Sequence, residues 1–336
     1  MSAHTLSKTA SVPRLAHLPL PLFAAPMGFG GIGLAWREAA RVLGAPKLIG
    51  EALFAMTVAL WLIVTALHII RALHSPASLL GDLKHPVRSG FTGAIAIGMM
   101  LIAGGVLPYS PSIAAVIWFG AIGLQVALGI WFLRALFHTP REAATFTPLL
   151  LMPLIGNVVA PIVGAKLGFV VISWMLFGMG IALWVSVQPL LFGRIFTGPP
   201  LPELLRPTVV IFLSPPAVST VAVANLTGGV GPLALALFGY AAMLAIMFAT
   251  MIPEFRRTPF AMSWWGWTFP TAAFTVAALT VARSYSFPGY QLVLWGTWRL
   301  ADPRHRLYGD ATRGAERQFA TARMNNVVRP KPTAAA

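Results

Sequence analysis

Five apolar spans of this chain are interrupted by proline or by glycine, centred on Pro26, Gly98, Pro153, Pro215/Pro216 and Pro270. They alternate with spans expected to be smooth, of which Leu48 to Leu73 and Ser112 to Phe137 contain no proline. A proline inside a helix removes a backbone hydrogen bond and clashes with the preceding turn, at a cost of about 3 kcal/mol. Hydrocarbon offers no water to relieve that defect, so interrupted backbone persists only where protein or a water-filled cavity surrounds it. The five interrupted spans are therefore expected to face inward around a pore, with five smooth ones outside them.

A membrane reading is required by the composition. Of 336 residues, 57% are hydrophobic and 10% charged, with mean hydropathy +0.77. Soluble domains carry about 25% charged residues. With no cysteine, disulfides, thiolate nucleophiles and cysteine metal sites are excluded. The formal net charge of +15 could suit nucleic acid or another polyanion, but basic cytoplasmic loops of a polytopic protein account for it more simply. Nucleic acid is accordingly not an expected partner; the lipid bilayer is. Residues 1–17 read as a short cytoplasmic tail without a cleaved signal peptide, 18–300 as the transmembrane domain, and 301–336 as a basic tail.

Ten spans are predicted, near 18–36, 48–73, 89–107, 112–137, 146–165, 167–192, 207–227, 231–252, 259–282 and 288–300. Short loops imply antiparallel neighbours, and the spacing of interrupted spans suggests five copies of one hairpin. Arg71, Lys84 and Arg88 follow the second span, Arg134 and Arg141 the fourth, Arg194 and Arg206 the sixth, Arg256 and Arg257 the eighth. This bias places the N-terminus in the cytoplasm, against one dissenting loop with Arg37, Arg41 and Lys47. The tenth span is short. About a dozen residues from Pro288 to Trp298 make roughly 17 Å of helix, whereas the hydrocarbon core is about 30 Å thick. Two readings stay open: a half-helix supported by neighbours, or a frameshift near Gly296 that replaced the natural end.

Chemistry inside the membrane is sparse. No inner span has a central carboxylate, and Glu51, Arg134, Lys166 and Arg194 sit near span ends. Ion-coupled carriers usually keep ionisable groups inside the bundle, so passive conduction is favoured. The seven histidines lack the i, i+4 spacing of a membrane metal site, and no catalytic arrangement appears. No enzyme, metal or cofactor is expected. Glycines such as Gly28 and those at 104–105 allow close helix approach. A wall without fixed charge suits larger, easily dehydrated anions. Phe269, before Pro270 in the ninth span, is the candidate gate, since hydrophobic constrictions can close a pore.

Several segments resemble the tellurite-resistance/dicarboxylate transporter family. They are Pro26-Met27-Gly28-Phe29-Gly30-Gly31 with Leu34-Ala35-Trp36, Asp82 through Arg88, and Pro153-Leu154-Ile155-Gly156-Asn157. Leu205-Arg206-Pro207 with Ser214-Pro215-Pro216-Ala217, and Ser263-Trp264-Trp265-Gly266-Trp267-Thr268-Phe269-Pro270, complete the set. The resemblance covers about residues 17 to 285. It implies an all-α membrane fold of ten helices, arranged as five hairpins in quasi-fivefold order around a central pore lined by the odd-numbered helices. It also implies a homotrimer of separate pores in the cytoplasmic membrane, with a phenylalanine matching Phe269 occluding each conduit. The implied function is an anion channel or exporter for small anions. The alternative is a proton-linked transporter of C4-dicarboxylates such as malate, or of sulfite.

Overall fold

The computed structural model describes residues 18–139 and 142–285, and every regular element in them is helical. The first half holds α1 (Ala24–Leu43), α2 (Lys47–His74), α3 (Pro76–Lys84), α4 (Gly93–Val106) and α5 (Pro111–His138). Next come α6 (Leu151–Ile155), α7 (Pro161–Gly164) and α8 (Val170–Thr197). The last four are α9 (Ser214–Leu226), α10 (Pro232–Thr250), α11 (Ile252–Phe255) and α12 (Trp265–Ser284).

Each inward segment starts in the same way, as a 3-10 turn that relaxes into an α-helix. Leu20–Phe23 runs into α1, Arg88–Thr92 into α4, Pro148–Leu150 into α6, Glu203–Leu213 into α9, and Met262–Trp264 into α12. Proline explains most of the junctions. It has no N–H to donate, so it is tolerated in a first turn and disrupts a later one. Pro26, Pro153, Pro215 and Pro216 all lie within three residues of such a junction. The long outer helices start directly as α-helix. Pro111 and Pro232 occupy their first positions, and the Ser110 hydroxyl caps α5 by accepting from the Ile113 N–H at 3.3 Å.

Burial separates two layers. Among the described residues, six segments are long and apolar enough to cross a membrane, and they fall into two groups. The outer α2, α5, α8 and α10 have only 22–28% of their most apolar stretch buried, whereas Arg88–Val106 and Glu203–Leu226 have 78%. Large apolar side chains such as Val116, Phe137, Met175 and Ile246 stand exposed on the outer layer, where lipid replaces water as the solvent. The inner segments close on themselves: α1 packs on α4, α4 on α6 and α7, α7 on α9, α9 on α12, and α12 on α1. Each outer helix bridges two inner ones, α2 across α1 and α4, α5 across α4 and α6, α10 across α9 and α12.

Four sequence expectations change. The first span was expected to end near residue 36, but α1 continues to Leu43 and stops at Gly44, whose φ of +69° is left-handed. Arg37, Glu38 and Arg41 thus lie on the helix, where their charges are paired. The smooth outer class has an exception, because α8 carries Pro189 in its interior. No break occurs at Gly98: α4 runs through it, and its Cα faces the Trp61 ring of α2. The fifth predicted span, conversely, is more broken than expected, with Gly156–Val159 forming a second 3-10 stretch between α6 and α7. The predicted tenth span and both tails lie outside the described residues.

Candidate functional site

Two cavities lie on the axis of the inner ring. The first touches every inner segment, through Met27, Ile97, Ile155, Pro215 and Phe269. The second also touches all five, through Gly31, Leu101, Ile162, Val221 and Val276. Among the described residues, no outer helix contributes to either, and none of those lining them is ionisable. Phe269 and Val218 line both, so they form the partition between the two. The first cavity measures about 40 Å³ and the second about 10 Å³. On this measure one water requires roughly 10–15 Å³. Neither space accepts a hydrated anion.

Phe269 is held at the partition by the local backbone. It sits in the second turn of α12, immediately before Pro270, and is 6% exposed. Gly31 on α1 leaves room for its ring, since a Cβ there would lie 3.1 Å from Cδ2 of Phe269 and 3.3 Å from Cβ of Ala272. The site residues named from sequence divide accordingly. Phe269, Pro215 and Pro270 line the first cavity. Pro26, Gly28, Gly98, Pro153 and Pro216 line neither of the two. Gly28 faces Thr268 and Trp265, making the α1–α12 contact, and Gly98 faces Trp61. These residues shape the wall of the ring.

Backbone carbonyls in the interrupted segments are met from the outer layer. Gln125 donates its amide to the carbonyls of Pro153 at 2.9 Å and Met152 at 3.3 Å. Trp118 donates its indole N–H to Ala160 at 2.9 Å, and Trp61 does the same to Ile95 at 3.0 Å. These carbonyls are therefore engaged away from the axis. The geometry leaves an apolar waist.

The ring is charged at both ends. Where the inner segments begin, Asp82 accepts from buried Arg71 at 2.8 Å and from Arg88 at 2.6 Å, fastening α3 to α2 and to the start of the second inner segment. Arg71 also donates to the Ser78 hydroxyl at 2.8 Å. His85 accepts at Nδ1 from the backbone N–H groups of Val87 and Arg88, both at 3.2 Å. Burial and then the Arg88 charge push its imidazole below the usual pKa, with Asp82 opposing. Where the inner segments end, Arg37 pairs with Glu51 at 2.6 Å and donates to the carbonyls of Gly104 and Gly105. Glu38 bridges Arg41 at 3.2 Å and Arg283 at 3.3 Å. Among the described residues, no group of three His, Asp or Glu side chains could hold a metal ion.

Sequence reasoning missed Met27, Ile97, Ile155, Val218 and Val221, because an apolar residue in an apolar helix does not declare its facing. Helical spacing offered one signal: Val218 and Val221 follow Pro215 at three-residue steps.

The family profile described as voltage-dependent anion channel matches residues 17–298. The chain is 25% identical over 281 residues to the S-type anion channel SLAH3 of Arabidopsis thaliana, covering 80% of this chain and 44% of that protein. It is 24% identical over 299 residues to the guard cell S-type anion channel SLAC1 of the same plant, covering 85% and 53% respectively. The tellurite resistance protein TehA homolog of Haemophilus influenzae is 24% identical over 290 residues, with 82% of this chain and 83% of that protein covered. The chain thus spans about half the length of its plant relatives and most of its bacterial one. The motif resemblance, the multi-pass apolar helices and the profile match agree, and this chain belongs to the SLAC1 family of voltage-dependent anion channels.

Proposed function

We propose that this protein is a passive channel for small anions, closed at Phe269 in the conformation described. One observation carries the reading: two cavities are each reached by all five inner segments, and Phe269 and Val218 line both. An apolar partition of this kind blocks ions sterically and by excluding water. A proton-linked carrier needs a titratable group on the path, and no lining residue supplies one.

The repeated 3-10-to-α junction supports a quasi-fivefold ten-helix arrangement. Of the thirteen Lys and Arg in the described residues, eight lie where the inner segments begin and five where they end. That bias supports a cytoplasmic N-terminus in the cytoplasmic membrane. A homotrimer of separate pores is the assembly the family resemblance implies, and cross-linking in membranes tests it.

Phe269→Ala tests the gate. Anion current in planar bilayers or oocytes, with no pH gradient, should rise at least tenfold over the parent protein. Unchanged current with normal surface expression overturns the gating role. Current that appears only with a proton gradient favours the carrier.

A further inference from the structure

The cations at the end of the ring where the inner helices finish come from three different segments and share one place. Glu38 and Arg41 stand one and two turns beyond Leu34, which lines the second cavity. Lys166 follows the cavity residue Ile162 by four positions, in the turn that closes α7. Arg283 follows Val276, another lining residue, by seven. Residues four and seven apart share a helix face, so Glu38, Arg41 and Arg283 continue the helix faces that line the second cavity, and Lys166 lies two residues past the end of α7. Their height above the cavity is about 6 to 10 Å at 1.5 Å per residue.

The group is not neutral. Arg41 and Arg283 share the single carboxylate of Glu38, and both side chains remain about half exposed, at 49% and 57%. Lys166 has no ion pair among the described residues. It is exposed along its side chain yet crowded at its head, and its pKa is lowered by burial and then by Arg41, with Arg283 and Arg37 adding to this and Glu38 opposing it. Arg41 and Arg283 share one carboxylate and Lys166 adds a further cation, so positive charge outweighs negative there. Arg37 is the exception within the group, since Glu51 neutralises it.

We propose that Arg41, Lys166 and Arg283 form an anion-recruiting site around Glu38, at the mouth above the second cavity, for planar oxyanions such as nitrate and small carboxylates. The Glu38 carboxylate already rests on two guanidiniums, so it stands in the place an arriving anion takes and shows the chemistry those groups accept. A guanidinium fork matches a planar oxyanion by paired hydrogen bonds. A mouth of one sign also raises local counter-ion concentration and on-rate, by about 10- to 1,000-fold in strongly focused cases. Glu38 keeps the site from holding an anion too tightly to release it inward.

The proposal rests on the channel reading, and the test separates the two. In the Phe269→Ala background, at fixed low ionic strength, Lys166→Gln should raise the half-saturating nitrate concentration about threefold, and Lys166→Glu about tenfold. Both shifts should vanish near 1 M salt, where the screening length falls to about 3 Å. An unshifted curve, or a shift that persists in 1 M salt, overturns the site. Absence of any current in Phe269→Ala overturns the channel reading. In that case heat stability of the purified protein still decides the site: nitrate should stabilise the parent and not Lys166→Gln, and equal stabilisation of both rejects it.

Discussion

Gln125 on α5 reaches across to the carbonyl of Pro153 at 2.9 Å, and the space it occupies exists because residue 156 is glycine. A Cβ at Gly156 would lie 2.6 Å from the Gln125 amide nitrogen. An outer helix thus satisfies the backbone of the most broken inner segment, where lipid could not. Gln125→Leu keeps the volume and removes the donor. It removes the side-chain donor to the Pro153 carbonyl, while Met152 keeps the Gly156 N–H, at about 1–3 kcal/mol for a buried group that loses its partner. Thermal or denaturant unfolding in detergent should show a loss of that order, and an unchanged transition would mean the bond contributes nothing net.

The second and third inner segments touch backbone to backbone. A Cβ on Gly93 would lie 2.3 Å from the Met152 carbonyl carbon and 2.5 Å from the Pro153 nitrogen. No rotamer change relieves a clash with main chain, so Gly93→Ala should cost more than the typical 1–3 kcal/mol of overpacking. Gly239 on the outer α10 has no heavy atom within 4 Å of the same construction. There Ala should be neutral or stabilise by up to about 1 kcal/mol through helix propensity. Monodisperse yield and melting temperature of the pair check this; equal behaviour would refute the packing of the ring.

Asp82 holds two arginines of different burial. Arg71 is 2% exposed and Arg88 51%. Asp82→Ala strands a buried guanidinium and should cost about 3–5 kcal/mol, because the remaining charge keeps its desolvation penalty without its partner. Arg88→Ala removes a half-exposed partner and should cost under about 1 kcal/mol. Comparable losses in the two variants would show that Arg71 does not depend on Asp82.

Much of this arrangement was legible before any coordinates. The alternation of interrupted and smooth spans gave the two layers, since hydrocarbon penalises an unsatisfied backbone wherever it falls. The motif at Phe269-Pro270 pointed to a residue that does border both cavities. What was not legible depended on facing. Gly98 looked like a break because glycine is a poor helix former, but α4 uses it to admit the Trp61 ring. Arg37 and Arg41 looked like loop charges because a hydropathy window ends at charge. Their partners, Glu51 and Glu38, let α1 continue for nearly two more turns. Partnerships between distant segments, such as Glu38 with Arg283, leave no mark on local sequence.

His85 should make the start of the second inner segment sensitive to acid. Its Nδ1 accepts from two backbone N–H groups, at Val87 and Arg88, which only the neutral ring can do. Burial and Arg88 depress its pKa. The unfolded chain then takes up the proton more readily than the folded one, so stability rises with pH through this interval. The contribution is complete above the ordinary value of about 6.5 and is lost as pH falls through the lower, folded value. Thermal unfolding should accordingly lose stability below about pH 6, and His85→Ala should be less stable at neutral pH while losing part of that slope. An imidazole that titrates at or above its ordinary value by NMR would show that the two N–H bonds do not hold the ring neutral.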